Sequence, residues 1–346
     1  MRAVVLREFG AASNLRLETM PDPRPGRGEV LIKVHACGVC YHDVINRRGN
    51  LPRTHVPAIL GHEAAGEIVE VGPDTPGWKV GDRVATLQRL SCGECALCKS
   101  GRNSLCKKDN RFFGEEISGG YAEYMTAPVM GLGRVPANLP WPVAATVCCT
   151  LGTAVHTLRT RGKVRAGETV LITGASGGVG LAAVQLAKVD GARVIAVTSG
   201  EAKVQALREA GADEVIVSRG LDFASAARKL TGGEGVNVAI EIVGSVTFPQ
   251  TLKAMAPGGR VVVVGNLETG TVDLNPGLVI VKELEIIGAF ATTREELDES
   301  LRLVAEQKIR PFVSDAVGLS EAGKAHFRLE NREIAGRVVL LPQEIQ

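Results

Sequence analysis

The rhythm of hydrophobic and polar positions changes once along this chain, near Val143. Before that point apolar residues come in short runs that alternate or stay continuous for a few positions and then stop at glycine or proline. EVLIKVHA (Glu29–Ala36), GEIVEVG (Gly66–Gly72) and DRVAT (Asp82–Thr86) have this form, which predicts β-strands. PRPGRGE (Pro23–Glu29) and VGPDTPGWKVGD (Val71–Asp82) read as turns. The expectation for the first part is an antiparallel, barrel-like domain. After Val143, β-branched runs alternate with amphipathic segments. TVLITG is followed by a helix over Gly178–Asp190, ARVIAVT by one over Glu201–Ala210, DEVIV by one over Leu221–Leu230, and VNVAIEIVG by one over Val246–Ala256. GRVVVVG and LEIIGAF complete the series. Continuous strands separated by helices predict a parallel sheet covered on both faces, in a doubly wound arrangement. A helix over Thr292–Lys308 and a closing strand over Ile334–Pro342 are expected last.

Composition narrows the picture. The 346 residues suggest two domains. Forty basic and 38 acidic residues leave a net charge of +2 without a basic block, so neither nucleic acid nor an anionic membrane is an expected partner. There is no uninterrupted apolar run of membrane-spanning length, and MRAVVLREFG lacks the layout of a signal peptide. Aromatic residues make up only 4%, so the core is built from Val, Leu, Ile and Ala.

GASGGVG (Gly174–Gly180) falls between the strand Thr169–Thr173 and the helix opening near Gly178. In that setting Gly174, Gly177, Gly178 and Gly180, with Ser176 and Val179, let the backbone approach a pyrophosphate at a helix N-terminus. Gly265, which closes GRVVVVG, is counted with these nucleotide positions. The second strand, Arg193–Thr198, ends in Thr198, Ser199 and Gly200, with Lys203 one turn on. An NAD site usually carries a carboxylate at this tip. Hydroxyls and an ammonium suit a 2′-phosphate, so the expected cofactor is NADP(H), with Glu201 the one acidic neighbour.

Eight cysteines add the remaining chemistry. Cys92, Cys95, Cys98 and Cys106, spaced C-x2-C-x2-C-x7-C, match the closed tetrahedral coordination of structural zinc. Cys40, His62 and Cys149 are scattered, but two thiolates and an imidazole leave one tetrahedral position open, as a catalytic zinc requires. Asp43 and Glu63 each follow a candidate ligand and can orient an imidazole or stand beside the metal. Taken singly, such residues are ordinary core cysteines and histidines; the combination carries the reading. Reduced, metal-binding cysteines fit the cytoplasm.

CGVCYHD (Cys37–Asp43), GHE (Gly61–Glu63), the four-cysteine loop, VGDRV (Val80–Val84), GGYAEY (Gly119–Tyr124) and GASGGVG occur in the order seen in zinc-containing medium-chain alcohol dehydrogenases, and nearly the whole chain resembles that family. The resemblance implies a GroES-like antiparallel β-barrel catalytic domain, discontinuous over 1–150 and 291–346. A Rossmann doubly wound parallel-sheet domain would occupy 151–290. It implies two zinc ions per chain: one on the four-cysteine loop, the other on Cys40, His62 and Cys149 with Glu63 nearby. Thr153 would lie near the nicotinamide and Arg337 near the pyrophosphate. The function implied is hydride transfer between NADP(H) and an alcohol, aldehyde or ketone. The edge run LEIIGAF would pair subunits into dimers or tetramers. Cys37 and Cys148 are left as small buried residues, and His35, His55, His156 and His326 as structural ones.

The chain departs from the family at one point. Where alcohol-oxidising members place Ser or Thr two residues after the first zinc cysteine, it has His42, and Ile45 replaces a relay histidine. His42 either exchanges the proton itself or only packs beside the metal loop. YHDVINRRG (Tyr41–Gly49) and CTLGTAVH (Cys149–His156) also resemble acryloyl-CoA reductases, which makes NADPH-dependent reduction of an activated double bond the rival function. A nucleotide-binding protein without turnover is a third reading, and no ligand has been lost to support it.

Overall fold

The computed structural model describes residues 1–218 and 222–343. Contacts divide the chain into two compact units. One comprises Met1–Gly152, Ala291–Gln307 and Pro311–Gln346; the other comprises Thr153–Phe290 and Lys308–Arg310. The sequence reading set this boundary at 150/151, and the chain crosses between units at Gly152/Thr153.

The first unit is built on β1 (Arg2–Leu6), β2 (Leu15–Thr19), β3 (Glu29–Gly38), β4 (Ala58–Ile59), β5 (Glu63–Val71), β6 (Arg83–Thr86), β7 (Tyr124–Pro128) and β8 (Leu132–Arg134). The second unit contributes β9 (Thr169–Ile172), β10 (Arg193–Thr198), β11 (Glu214–Val217), β12 (Val236–Glu241), β13 (Met255–Val263) and β14 (Glu285–Gly288). The returning tail adds β15 (Val313–Val317) and β16 (Arg337–Leu340) to the first unit.

In the first unit a three-stranded sheet runs β2-β1-β4, and a seven-stranded sheet runs β15-β16-β3-β5-β6-β8 with β7 also on β3. All pairings are antiparallel except β15 with β16. β3 and β5 form the spine, paired from Val30↔Val71 to Gly38↔Glu63. That register sets the ends of the two strands, and with them Cys40 and His62, side by side. Val4, Leu6, Ile32, Val34, Ile68, Met125, Leu132 and Leu340 pack between the strands as one core.

In the second unit six parallel strands lie in the order β11-β10-β9-β12-β13-β14, the two-halved doubly wound order with the switch point beside β9. Strands and helices follow the expected alternation. The helix expected over Leu221–Leu230 is observed as Ala224–Leu230, Leu221 lying outside the described residues. The helix Pro276–Lys282, capped by the Asn275 side chain, lies between β13 and β14, where the sequence reading places no element. At the end of β12 the Glu241 carboxylate, fully buried, collects Thr173 Oγ1 at 2.7 Å, Thr247 Oγ1 at 2.6 Å, Thr251 Oγ1, and the Val243 and Gly244 amides at 3.1 and 2.9 Å. Five neutral donors around one carboxylate satisfy it without a cation and fix the turns after β9 and β12.

Trp141–Arg161 is the one helix among the described residues long and apolar enough to cross a membrane, and it is mostly buried inside the protein, as a core helix is. Cys148–Gly152 and His156–Arg161 within it are π-helical. Sequence periodicity gives no warning of such wide turns, which occur often at functional sites.

Candidate metal centres and nucleotide site

The four-cysteine loop folds around its sulfurs. Sγ–Sγ distances are 3.9 Å for Cys92–Cys98, 3.5 Å for Cys95–Cys98, 3.9 Å for Cys95–Cys106 and 3.5 Å for Cys92–Cys106. A tetrahedron with Zn–S bonds of about 2.3 Å has edges of about 3.8 Å, so the cage has the size of a zinc site. The Cys92 and Cys95 amides point at the Cys106 and Cys92 sulfurs at 3.3 and 3.4 Å, favouring thiolates. Although burial opposes it, backbone amides hold Cys106 down to about 6, while burial and neighbouring sulfurs push Cys98 up to about 12. Four thiols so placed cannot all ionise without a cation. Arg89 ties the lobe to the rest of its unit through Ser104 O at 2.6 Å and Cys106 O at 3.2 Å.

Cys40, His62, Glu63 and Cys149 form a second group, with one donor atom from each lying within 4.8 Å of the others. All four are buried. Cys40 precedes the helix Tyr41–Arg47, and its amide donates to Asp43 Oδ2 at 3.1 Å. Gly61, at φ +99°, turns the chain into β5 and delivers His62 and Glu63. Cys149 comes from the π-segment: its sulfur is 3.8 Å from that of Cys40, while Cys148 points to Gln88 Oε1 at 3.6 Å. The helix therefore sends one of its two adjacent cysteines to each side.

The surroundings prepare this group for a cation. His62 Nδ1 donates to Asp43 Oδ1 at 3.0 Å, because that carboxylate can only accept, and Nε2 keeps its lone pair for a metal. A hydrogen bond from Cys149, outweighing burial, with Arg337 close by, holds Cys40 well below the ordinary thiol value; the same pairing and burial push Cys149 well above it. Burial raises the Glu63 carboxyl to about 7 despite Arg337. Two thiols, an imidazole and a carboxyl, all buried, compete here for protons, a conflict that a dication would remove. The donor set and the sulfur spacing fit zinc.

Arg337, which the family resemblance places near a pyrophosphate, stands against this group. It is 5% exposed, its Nη2 lies 2.8 Å from Glu63 Oε1, and the same nitrogen is 3.4 and 3.5 Å from the Cys40 and Cys149 sulfurs. The first residue of β16 thus offsets negative charge at the centre, a role invisible in a lone arginine before a strand. His42 packs beside the group, its ring 5.2 Å from that of His62 and stacked on Phe112 at 5.7 Å. Its Nε2 is 2.6 Å from Glu115 Oε1, a partner that the sequence did not reveal. His42 holds that carboxyl below its usual range against the effect of burial.

In the second unit, Gly174 lies at φ +56°, and Gly177 caps the helix Gly178–Val189, whose first turn carries Val179 and Gly180. Glycine is required at two of these positions by packing: a Cβ on Gly180 would meet Ala175 O at 2.4 Å, and one on Gly265 would meet Ile242 O at 1.9 Å. Both turns lie at the carboxyl ends of the parallel strands, where nucleotides bind in such sheets. Thr198 is buried and its Oγ1 is 3.3 Å from Ser176 Oγ, so it ties the tips of β9 and β10 together. Ser199 is exposed and Lys203 half-buried. Thr153 is buried, and its carbonyl accepts from Thr157 Oγ1 at 2.9 Å.

The family description for zinc-binding dehydrogenases matches residues 178–306, and that for the alcohol dehydrogenase GroES-like domain matches residues 26–137. The chain is 40% identical to the acryloyl-coenzyme A reductase of Metallosphaera sedula over 341 residues, 98% of this chain and 99% of that one. It is 34% identical to an alcohol dehydrogenase of Geobacillus stearothermophilus over 342 residues, 98% and 99% of the two. The crystal structure of AibC superposes with a TM-score of 0.93 at 80% identity, covering 99% of this chain and 96% of that one.

The two cysteine groups are expected to respond differently to substitution. Cys95→Ser should lower the melting temperature, since binding free energy at a structural site is folding free energy. His62→Ala should keep the fold and lose one zinc. Elemental analysis with thermal unfolding of zinc-replete proteins checks both, and a zinc content of one in the parent contradicts the two-centre account.

Proposed function

The chain belongs to the zinc-binding alcohol dehydrogenase family, and on that premise we propose that it reduces the conjugated double bond of a small α,β-unsaturated acyl-CoA with NADPH. It is a nicotinamide-dependent oxidoreductase; the substrate, the NADPH preference and the two-zinc content are the proposal. The observation that carries the substrate is the helix behind Cys40. Its hydroxyl position is His42 and its relay position Ile45, and the His42 ring is engaged by Glu115, so the hydroxyl-to-imidazole proton path of alcohol oxidation is missing. The full-length likeness to an acryloyl-coenzyme A reductase supports the same choice.

Cys40, His62 and Cys149 would hold the catalytic zinc, with Asp43 fixing the His62 ring and Arg337 and Glu63 balancing charge. Bound there, zinc supplies a Lewis acid for an acyl oxygen. A bound nicotinamide would supply the hydride for the β carbon, leaving a proton to be delivered to the α carbon. His42, seated between Phe112 and Glu115, would exchange that proton. The complete donor set favours the second reading, alcohol–carbonyl interconversion, for which a metal is indispensable. A reducing compartment such as the cytoplasm suits eight free thiols.

Initial rates of NADPH oxidation separate the two readings. An enoyl-CoA ester should exceed aldehydes and ketones in kcat/KM by about tenfold or more, and protein depleted of the centre's zinc should keep measurable enoyl-CoA reduction. Preference for the carbonyl compounds, with all activity lost on depletion, would establish the second reading instead.

For the nucleotide, the buried Thr198 supports the strand tip, and exposed Ser199 with Lys203 would receive the 2′-phosphate. Ser199→Asp should turn a preference for NADPH into one for NADH through charge repulsion, measured as the ratio of kcat/KM values. Equal values for both cofactors in the parent would refute the assignment.

For assembly, β14 ends its sheet, with Ile286 and Phe290 exposed and Ile280 and Val281 exposed on the preceding helix. An apolar edge of this kind is a pairing surface, and a second copy of the chain would cover it in a dimer or tetramer. Light scattering at micromolar concentration should give a multiple of the single-chain mass, and a monomer would overturn this.

A further inference from the structure

Beyond the groups around the metal centre lies a buried polar chain that hydride transfer does not use. Asp43, Tyr121 and His326 are each fully buried. Tyr121 Oη is 3.1 Å from Asp43 Oδ2 and 3.1 Å from His326 Nε2. The donors assign themselves. Asp43 can only accept, so the phenol proton goes to Oδ2, and the phenol oxygen must then accept from His326 Nε2–H. His326 is therefore the Nε2–H tautomer, and its Nδ1 has no partner among the described residues. Burial keeps its ring neutral, with a value lowered to about 4. Each proton along the line from His326 through Tyr121 points toward Asp43, which receives the His62 proton from the other side.

Tyr121 also holds His62 through the backbone. Its amide donates to Leu60 O at 3.1 Å and the Gly120 amide to Gly61 O at 2.8 Å. Its ring lies so close to Gly61 that a Cβ there would come within 2.4 Å of it. The residue before the ligand and the carboxylate behind the ligand are thus fixed by one side chain. His326 belongs to the helix Ala322–Glu330, which is anchored by Glu330 to the buried Arg47 at 2.6 Å; Arg47 ends the helix that carries Asp43.

We propose that Tyr121 and His326 are positioning residues of the Cys40–His62–Cys149 centre: by saturating Asp43 Oδ2 they lock the His62 ring, and so set how tightly the centre keeps its metal. The proposal rests on the reading that this group binds zinc. Without the phenol, Oδ2 keeps only the Cys40 amide, and the carboxylate can turn away from His62. Loss of such an outer partner typically costs about 10- to 100-fold in metal affinity.

The test is zinc release from zinc-replete protein to a chromogenic chelator, in which the parent should show two phases. The phase missing from His62→Ala identifies the centre. Tyr121→Phe should accelerate that phase about tenfold or more and leave the four-cysteine phase unchanged. His326→Phe should accelerate it less, and His326→Gln, whose amide still offers an N–H to the phenol, should restore it toward the parent. A purely structural role predicts a lower melting temperature with both phases unchanged or both accelerated alike, and either result overturns the proposal. If Tyr121→Phe does not fold, His326→Phe against His326→Gln decides by the same readout. A parent releasing a single zinc refutes the metal reading and the proposal with it, whereas two parental phases that ignore these substitutions refute the proposal alone.

Discussion

A buried concentration of acidic groups governs the first unit of this protein. Cys40, Cys149, Glu63 and Asp43 meet with one imidazole and one guanidinium in the buried interior of the unit. Charges in such a place must be paired or must coordinate metal. Arg337 answers part of the demand, lying against Glu63 and both sulfurs. A dication bound there would answer the rest, since it binds thiolates without requiring them to share a proton. Much of the local architecture serves this balance. The β3–β5 register sets the loops of Cys40 and His62 together, the π-segment aims Cys149 inward and Cys148 away, and β16 brings Arg337 back from the tail.

The second unit meets a different constraint, the close approach of backbone segments at the carboxyl ends of its strands. Gly180 and Gly265 leave no room for a side chain against Ala175 and Ile242. Glu241 gathers five donors from the adjoining turns. Here a buried carboxylate is satisfied by neutral groups alone, in contrast to the first unit, where the carboxylates stand among sulfur and imidazole. The contrast separates a carboxylate that shapes a loop from one set beside candidate metal ligands.

What the sequence made legible followed from periodicity and from spacing. The parallel strands and most of their helices could be read because continuous β-branched runs and amphipathic stretches differ in period. The four-cysteine cage was legible because its ligands lie within one short loop. Cys40, His62 and Cys149 could be nominated, but their assembly depends on strand register and a π-turn, neither of which has a period to detect. Glu115, Tyr121 and His326 were unreadable as members of a site for the same reason: each meets its partner across more than 70 residues of sequence. The Gly-Gly before Tyr121 was the available signal, since paired glycines mark a place where another backbone comes close. Thr198 stands at the expected strand tip, and what spacing could not show is that its hydroxyl is buried and bonded to Ser176.

The central claim is that the buried Cys40–His62–Cys149 group is organised around a metal ion. Anomalous diffraction at the zinc edge, from crystals of zinc-replete protein, tests it most directly. The account predicts two peaks per chain, one enclosed by Cys92, Cys95, Cys98 and Cys106 and one within bonding distance of Cys40 Sγ, His62 Nε2 and Cys149 Sγ. A single peak at the four-cysteine loop, with the Arg337–Glu63 pair alone neutralising the other group, would contradict it.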